Sequence, residues 1–380
     1  MNFFSIEKIY FKTSQQPKIS ILIPVYNQLD YTLNCLYSLM EECNNFEVEI
    51  IVINDNSTDR TKEYLEKING IILINNFENL GFLKNINIGI NKAKGEFVLL
   101  LNNDVVVVSN LLKELLFVFE SKSNVGAVGA MAIHPSGIVL EAGSAIFNTG
   151  EAYNIGRRAL PDNPHYNYIR KTDYCSGYCL LVKRLMPDLK MVQLDEHFMP
   201  AYYEETDLCM QLRHNYNLNT YYQPFARLIH FESISYGKEK NSKKQRLIDI
   251  NQEKFKQKWK VQLVESHIVK PKKYKDYNDL RLKNKSIIYL EDSLEENTLE
   301  TIYKQREEGY KVAVLIKSKG FLEANVITDL QRIGIEVLYP YYTSKGKVIS
   351  YFKIYRNIIA VYSEVKTKNI FYKTWFYLKK

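Results

Sequence analysis

One stretch, from Gly95 to Val108, constrains the fold of this 380-residue chain more than any other. It contains an uninterrupted apolar run, Phe97 to Leu101, which is the pattern of a strand buried on both faces of a parallel sheet. Three polar residues, Asn102, Asn103 and Asp104, follow at once, where such a strand would reach its carboxyl end. Open α/β sheets bind ligands along that edge, so the stretch predicts an α/β fold with a ligand site at the end of this strand.

The polar triplet has two interpretations. Asp104 can hold a divalent cation, because a hard cation that bridges phosphate oxygens takes one or two carboxylates and keeps water elsewhere. Asn and Asp are also common turn residues, whose side chains bond to the local backbone and can cap a following helix. The triplet alone supports both interpretations equally.

Strands and helices alternate before this stretch. Three predicted strands and three predicted helices precede Phe97: a strand at 19–25, a helix at 29–43, a strand at 48–53, a helix from about 60, a strand at 71–74, and a helix with Phe82, Ile86 and Ile90 on one face. Such alternation is typical of a parallel sheet with right-handed crossovers.

Polar residues recur where each predicted strand ends: Tyr26 and Asn27, then Asp55 to Asp59, Asn75 to Gly81, and Asn102 to Asp104. Asp55 can accept hydrogen bonds from a base or ribose, and Asn and Gly backbones approach phosphates without adding negative charge. Each residue taken singly is better explained as a turn former. Their recurrence at one edge of the sheet favours a nucleotide site.

Composition narrows the class of protein. With 46% hydrophobic residues the chain can build proper cores, and its net charge of +8 predicts an acidic partner such as a nucleotide, an anionic membrane surface or nucleic acid. Five cysteines without a regular framework suggest reduced thiols in the cytosol, and Cys175 and Cys179 lack a second pair at zinc-site spacing. No signal peptide or membrane-spanning apolar segment is evident, so any membrane contact is expected to be peripheral.

Short strands are predicted in the middle of the chain, at 125–131, 138–140, 145–147 and 173–183. A loop from Asn148 to Thr172 separates the last two, and loops of this length are usually functional or mobile. Its Arg157 and Arg158 can meet phosphate or acceptor, or can simply be solvated.

Three carboxylates, Glu204, Glu205 and Asp207, crowd the first turn of a helix marked by Leu208 and Leu212. Acidic residues there gain about 0.3–1 kcal/mol each from the helix dipole at exposed positions, which is a purely structural explanation. Neighbouring carboxylates also repel, which raises the proton affinity of at least one of them, as a general base requires.

His230 follows two predicted strands, at 220–222 and 225–229. A neutral imidazole there can bind a transition metal, and a hydrogen-bonded structural histidine is equally compatible with the position. A basic helix is predicted at 238–260, which can lie on phosphates or lipid headgroups or present a solvated face.

With these elements assigned, residues 18 to about 260 resemble the family-two glycosyltransferases of the GT-A fold. Six matching motifs stand in the family's order: Ile-Pro-Val-Tyr-Asn (23–27), Val-Ile-Asn-Asp-Asn-Ser-Thr-Asp (52–59), Asn-Leu-Gly-Phe (79–82) with Asn87 and Gly89, Leu-Asn-Asn-Asp (101–104), Glu-Glu-Thr-Asp-Leu-Cys (204–209) and His-Phe-Glu-Ser (230–233). Each motif is weak alone, and the six together make the resemblance specific.

The resemblance implies roles for individual residues. Asp104 takes the place of the metal-binding carboxylate of the family's Asp-x-Asp motif, with Asn102 standing for the first Asp, and His230 is an additional ligand or phosphate contact. Glu205 corresponds to the catalytic base, with Glu204 and Asp207 supporting it or orienting the acceptor. The nucleotide-binding residues are then Pro24, Tyr26, Asn27, Asp55, Asn79, Gly81, Asn87 and Asn103.

One position departs from the family. Relatives often carry Ser-Arg-Gly after the histidine, whereas this chain has Ser235-Tyr236-Gly237. A cationic phosphate contact is therefore missing, which bears on donor affinity and choice.

The predicted organisation is an N-terminal lead at 1–17, a GT-A domain at 18–262, a basic linker at 263–285 and a smaller, incomplete Rossmann-like α/β domain at 286–380. The last domain is predicted to have strands at 286–290, 312–316, 335–338 and 358–362 and helices at 294–308 and 321–333. It resembles, less specifically, the opening half of a GT-B-like domain of some multidomain polysaccharide glycosyltransferases, and no catalysis of its own is expected. Its tail, Phe371 to Lys380, can dock on a membrane or a partner, or pack on its own domain.

The expected function is an inverting, Mn²⁺- or Mg²⁺-dependent glycosyltransferase, which moves a sugar from a nucleotide-diphosphate donor to a hydroxyl of a growing surface glycan, such as O-antigen or capsule. The family and the basic surface suggest a lipid-linked acceptor at the cytoplasmic face of a bacterial membrane. The alternative is a non-catalytic nucleotide-sugar or carbohydrate binder with a degenerate GT-A fold, against which Asp104, Glu205 and His230 speak together. Nucleic-acid binding and dinucleotide-dependent dehydrogenation are disfavoured, because no RNA-binding or helix-turn-helix signature and no Gly-x-Gly-x-x-Gly is present.

Overall fold

The computed structural model describes residues 9–108, 110–232, 241–270, 286–291, 293–316, 322–338 and 358–362. It divides into two compact units, one formed by Met1–Leu160 with Lys171–Pro271 and the other by Pro161–Arg170 with Lys272–Lys380. The second unit thus includes ten residues from within the long loop. The domain limits at residues 17, 262 and 285 stay predictions.

The amino-terminal half of the first unit follows the predicted alternation. Its elements are β1 (Ile19–Val25), α1 (Leu29–Cys43), β2 (Val48–Asn54), α2 (Thr61–Leu65), β3 (Ile71–Asn75), α3 (Gly81–Lys92) and β4 (Phe97–Leu101). The four strands are parallel, in the order β4-β1-β2-β3. Every residue of β4 is buried, as its continuous apolar sequence predicts for a strand covered on both faces.

The rest of the first unit extends this sheet on the β4 side and adds a separate two-stranded sheet of β8 and β9. Its elements are β5 (Val105–Val107), α4 (Leu111–Ser121), β6 (Val125–Ile133), β7 (Val139–Glu141), β8 (Ser144–Ile146), β9 (Ala152–Asn154), β10 (Arg170–Thr172), β11 (Cys179–Lys183), α5 (Glu204–Tyr216), β12 (Asn219–His230), α6 (Asn241–Lys258) and α7 (Lys260–Ser266). Strand β11 runs antiparallel between β4 and β6, and β12 is parallel to β6. The sheet is therefore mixed, with its parallel part at the amino-terminal end of the chain.

Three predicted boundaries in this part are wrong. The two strands predicted at 220–222 and 225–229 form one strand, β12, because an irregularity between Gln223 and Arg227 accommodates Pro224 without ending the pairing with β6. The loop at 148–172 contains β9 and β10. Only the second half of 173–183 is a strand, and its first half forms the turn that becomes part of the site.

The second unit is a four-stranded parallel sheet in the order β15-β14-β13-β16. Its elements are β13 (Ser286–Glu291), α8 (Glu296–Glu307), β14 (Lys311–Ile316), α9 (Ala324–Arg332), β15 (Glu336–Leu338) and β16 (Ile358–Tyr362). Buried aliphatic side chains of β14, α8 and α9 form its core, with Val314, Ile302 and Leu330 fully enclosed. The parallel α/β prediction for this part is confirmed. Most of the basic linker, the Ser235–Gly237 segment and the tail at 371–380 lie outside the described residues.

All five cysteines are buried and free of disulfides, as their spacing predicts. Cys175 and Cys179 behave as small core residues, with no accessible surface. Among the helices that the structure describes, none has the length and apolar character needed to cross a bilayer.

Candidate active site

The side chain of Asp55 organises the loops at the carboxyl edge of the parallel strands. It is buried at the end of β2, and its carboxylate accepts hydrogen bonds from the backbone N–H groups of Leu80 (2.8 Å) and Gly81 (2.9 Å) and from the side chain of Asn76 (2.9 Å). Gly81 has φ of 80°, which suits glycine. Asp55 therefore fixes the entry to α3 and holds together the loops after β2 and β3.

Asn27 joins the loop after β1 to the loop after β2. Its Oδ1 accepts from the backbone N–H of Thr58 at 2.7 Å, and its own N–H donates to Ser57 Oγ at 2.8 Å. Tyr26 beside it is 43% exposed, and Pro24 lies in β1 opposite Ile53. Pro24, Tyr26 and Asn27 thus lie at the same edge of the sheet as Asp55.

The remaining nucleotide-site predictions have different surroundings. Asn79 is exposed and donates to the backbone oxygen of Asp55 at 3.4 Å, while Asn103 donates to Thr32 Oγ1 at 2.9 Å. Asn87 is buried, and its amide makes two hydrogen bonds of 2.9 Å with the backbone N–H and oxygen of Leu194. Asn87 is thus fully engaged with the protein backbone.

Asp104 and His230 are brought together by strand pairing. Strand β5, which follows Asp104 directly, runs antiparallel to the end of β12 and places Val105 opposite His230. The backbone oxygen of Asp104 accepts from Phe231 N–H at 3.0 Å, and Asp104 Oδ1 lies 3.2 Å from His230 Nε2. The pairing of β5 with β12, which the sequence did not reveal, is therefore what makes two distant residues neighbours.

A divalent cation fits this pair. Asp104 Oδ1 is buried and, apart from its 3.2 Å approach to His230 Nε2, has no hydrogen-bond partner among the described residues, so it keeps acceptor capacity for a cation. No group of three or more His, Cys, Asp or Glu side chains suited to a metal occurs in the described part of the chain. One carboxylate and one imidazole are the donor set expected where substrate phosphates and water complete the coordination.

The second carboxylate group opens α5, as predicted. The two residues before it, Tyr202 and Tyr203, have φ of 78° and 74°, a left-handed conformation that is uncommon for bulky residues and concentrates at functional sites. Buried Asn251 of α6 holds this turn, because its amide donates to the backbone oxygens of Ala201 (2.9 Å) and Tyr202 (3.0 Å). No pattern in the sequence indicated a role for Asn251.

Glu204 and Glu205 both have raised pKa values. Burial is the main cause for both, and the charge of Glu205 adds to the rise in the pKa of Glu204. Glu204 is 4% exposed and its Oε2 has no hydrogen-bond partner in the described structure, whereas Glu205 is partly exposed. The backbone N–H groups of Glu205 itself and of Gly177 oppose the rise in the pKa of Glu205. Of the pair, Glu205 is the one accessible to an acceptor.

Asp207 has a different environment from the two glutamates. It is fully buried and accepts from Trp259 Nε1 (2.6 Å), Lys258 Nζ (2.8 Å) and Gln211 Nε2 (2.6 Å). Burial raises its pKa, and the bonds to Lys258 and Trp259 oppose the rise. Asp207 therefore joins α5 to the end of α6, which is a supporting role.

The turn that precedes β11 lies between Glu205 and the Asp104–His230 pair. Gly177 contacts Glu205, and the ring of the next residue, Tyr178, lies 5.1 Å from the ring of His230. The backbone oxygen of Tyr178 also accepts from Asn102 N–H at 3.0 Å. Gly177 and Tyr178 thus lie between Glu205 and the Asp104–His230 pair.

Arg157 and Glu141 make further contacts in this unit. Arg157 forms an ion pair of 3.1 Å with Glu232, just past the end of β12, and Arg158 is exposed. Glu141, at the end of β7, is buried and accepts hydrogen bonds from the N–H and hydroxyl of Ser176. Sequence reasoning missed Glu141 because a single carboxylate at the end of a three-residue strand carries no recognisable pattern.

Comparison with known proteins finds similarity to one family in the region that contains most of these elements. An uncharacterised protein of Sinorhizobium fredii is 25% identical over 256 residues, covering 64% of this chain and 28% of that protein. The O-antigen biosynthesis protein RfbC of Myxococcus xanthus is 28% identical over 234 residues, covering 58% of this chain and 18% of that protein. The chain therefore spans less than a third of either relative.

Among solved structures, a mannosyltransferase of Pyrobaculum calidifontis in complex with GDP-Man and Mn²⁺ is 14% identical and covers 58% of this chain and 59% of its own, with a TM-score of 0.40. Residues 20–184 match the family described as glycosyl transferase family 2. That match and the parallel-rich sheet of the first unit confirm the predicted GT-A fold. Over residues 20–184, the chain is therefore similar to glycosyl transferase family 2.

Proposed function

We propose that the chain transfers a sugar from a nucleotide-diphosphate donor to a hydroxyl group of a glycan, with inversion at the anomeric carbon. The observation that carries the proposal is the presence of two carboxylates with different properties. Asp104 has a buried oxygen with no hydrogen-bond partner among the described residues apart from His230, and Glu205 has an accessible carboxylate with a raised pKa. The first suits the diphosphate end of a donor and the second suits an attacking alcohol. The match of residues 20–184 to glycosyl transferase family 2 supports the same reaction class.

The donor nucleotide would lie along the loops held by Asn27 and Asp55. Both side chains are occupied by backbone N–H groups, so they shape the pocket and leave the neighbouring backbone and Tyr26 to meet the nucleotide. Tyr26 is exposed enough to stack on a base. Asn87 is expected to contribute through Leu194 and not by touching the donor.

Glu205 would act as the general base. The acceptor oxygen attacks the anomeric carbon, its proton passes to the Glu205 carboxylate, and the bond between that carbon and the diphosphate oxygen breaks. A single displacement of this kind inverts the anomeric configuration. The raised pKa makes Glu205 a stronger base than an exposed glutamate.

Asp104 and His230 would hold Mn²⁺ or Mg²⁺ beside the diphosphate. A bound cation supplies neutralisation of the charge that grows on the leaving group. The contribution of this chain is the geometry: β5 and β12 fix the carboxylate and the imidazole 3.2 Å apart before any ligand arrives.

The acceptor is proposed to be a growing surface polysaccharide on a lipid carrier, used at the cytoplasmic side of a bacterial membrane. The relative from Myxococcus xanthus is named for O-antigen biosynthesis, which supports a polysaccharide acceptor. The net charge of +8 is suited to an anionic membrane surface. The Lys/Arg-rich helix α6 carries part of this charge.

The decisive experiment is a panel of nucleotide sugars, including UDP-glucose, UDP-N-acetylglucosamine, GDP-mannose and dTDP-rhamnose, tested by calorimetry with and without Mn²⁺. We expect one donor to bind, and binding to weaken when the metal is chelated or when Asp104→Asn replaces the carboxylate. Slow release of the nucleoside diphosphate from that donor would show turnover by water. Binding without any release, with or without candidate glycan acceptors, would instead support a non-catalytic sugar-nucleotide binder.

A further inference from the structure

The turn at Ser176 and Gly177 is held between two carboxylates. On one side lies Glu141, which is 1% exposed and accepts both the N–H of Ser176, at 3.0 Å, and the Ser176 hydroxyl. A buried carboxylate that accepts two hydrogen bonds from one residue restrains that residue strongly, because charge-assisted bonds are about twice as strong as neutral ones. Ser176 is therefore anchored through its backbone and its side chain.

On the other side of the turn lies Glu205. The N–H of Gly177 acts on the Glu205 carboxylate and lowers its pKa. A β-carbon built on Gly177 would lie 3.3 Å from the ring of Phe82 and 3.8 Å from the β-carbon of Glu205, so the backbone approaches α5 closely here. The position of the Gly177 N–H thus depends on the residue before it, and that residue is bound to Glu141.

We propose that Glu141 is a positioning residue for the base: through Ser176 it fixes the Gly177 N–H that orients the Glu205 carboxylate toward the acceptor. The inference rests on the proposed function of Glu205. It extends that function to a carboxylate outside the six motifs of the sequence. Glu141 itself need not touch donor or acceptor.

Charge links the same groups. Burial raises the pKa of Glu141 to about 7, the bonds from Ser176 oppose the rise, and the charge of Glu205 adds to it. The phenols of Tyr174 and Tyr178 also lie within the field of Glu141. The charges of Glu141 and Glu205 therefore interact, which offers a pH-dependent signature besides the geometric one.

The chain provides a matched control at the opposite edge of the sheet. Glu49, at the start of β2, is a buried carboxylate that accepts the hydroxyl of Ser20, at 2.5 Å, and the backbone N–H of Lys94, at 2.6 Å. The pair Glu141→Gln and Ser176→Ala can thus be compared with Glu49→Gln and Ser20→Ala. Both pairs weaken the same kind of bond, and only the first pair adjoins the base.

The first measurement uses the ligand-free protein. Labelling serine with ¹³C at the carbonyl and glycine with ¹⁵N selects only the Ser136–Gly137 and Ser176–Gly177 pairs, and Ser136→Ala identifies the former. The Gly177 amide shift should follow the ionisation of Glu205, and Glu205→Gln should abolish that response. We expect Glu141→Gln and Ser176→Ala to reduce the response, and the Glu49 and Ser20 variants to preserve it. An unchanged Gly177 titration in both site variants would overturn the proposal.

The second measurement uses the donor found in the panel. We expect kcat for sugar transfer to fall by about tenfold or more in Glu141→Gln, with donor affinity unchanged, since misplacing a catalytic group by a fraction of an ångström is costly. Ser176→Ala tests the same link if Glu141→Gln folds poorly. A lowered melting temperature with normal kcat would reduce Glu141 to a structural residue. Because the amide titration needs no ligand, it separates failure of this inference from failure of the proposed reaction.

Discussion

Some residues of the site have polar groups available to bind a ligand, and others form hydrogen bonds that hold neighbouring residues in place. Glu205 is partly exposed, and Asp104 keeps an unsatisfied buried oxygen, so both retain capacity for a ligand. Asp55, Asn27 and Asn87 instead accept hydrogen bonds from the backbone N–H groups of neighbouring loops. The same polar residue types thus serve two purposes, and only their surroundings distinguish them.

Replacing Glu205 with Gln tests the proposed base. We expect Glu205→Gln to lower kcat for transfer by about 10²–10⁴-fold, which is the usual contribution of a general base, while donor binding stays within about twofold because the side-chain shape is kept. Initial rates and calorimetry on the same preparations provide the two values. Turnover equal to that of the wild type would reject Glu205 as the base.

Asn87 offers a test of structural against ligand-binding roles. Asn87→Ala leaves the N–H and oxygen of buried Leu194 without partners, so we expect the free energy of unfolding to fall by roughly 2 kcal/mol. Urea denaturation measures this loss. If the variant keeps its stability and loses donor affinity instead, Asn87 contacts the nucleotide as the resemblance implied.

Among the elements, the packing of α5 against α6 holds the helix that carries Glu205, the proposed base. Asp207 of α5 binds Lys258 and Trp259 at the end of α6, and Asn251 in the middle of α6 holds the turn that leads into Glu204. The left-handed backbone of Tyr202 and Tyr203 is strained, and a strained turn persists only when its surroundings restrain it. Helix α6 supplies that restraint, which explains why a polar helix packs beside the site.

The two carboxylate partners of Lys258 allow a matched comparison at this scale. Asp207 is fully buried, whereas the side chain of Asp195 is 35% exposed, and their carboxylates lie 2.8 and 2.6 Å from Lys258 Nζ. We expect Asp207→Asn to cost about 3 kcal/mol of unfolding free energy, because it breaks a buried pair. Asp195→Asn should cost less than about 1 kcal/mol, as is usual for partly solvated pairs. Equal losses in denaturant titrations would show that burial of Asp207 does not matter.

At the scale of the whole molecule, the first unit gathers buried acids whose protonated forms are favoured. Burial raises the pKa values of Glu141, Glu204 and Asp207, each despite hydrogen bonds that oppose the rise. A group whose pKa is higher in the folded state stabilises the fold at low pH and loses that contribution as pH rises through the folded pKa. The site therefore makes the unit less stable in alkali.

Glu141 permits a quantitative prediction of this effect. Its pKa rises from 4.5 to about 7 on folding. Its contribution should be complete below about pH 4.5 and disappear by about pH 8, a change on the order of 3 kcal/mol. The difference in unfolding free energy between wild type and Glu141→Gln should therefore shift in favour of the variant by that amount between about pH 5 and pH 8.5. A difference that does not vary with pH in guanidinium titrations would contradict this expectation.

The sequence by itself determined the elements and their direction. A short apolar run such as Phe97–Leu101 indicates a buried strand, because five residues are of strand length and too few for a buried helix. The elements β1, β4, α1 and β16 have the predicted limits. Polar residues after those strands follow from parallel topology, so the ligand edge was predictable. The motifs of Asp104, Glu205 and His230 were recognisable because their spacing is local.

Only the tertiary structure decided which polar residues meet. The pairing of β5 with β12 joins Asp104 to His230 across 126 positions of sequence, and the turn at Gly177 joins Glu141 to Glu205. Neither contact has a periodicity, because strand pairing and loop packing depend on the energy of the whole sheet and not on neighbours along the chain. Burial likewise distinguishes Asp207 from Glu205, two residues apart on one helix: the first is fully enclosed and bound to Trp259, and the second is the proposed base.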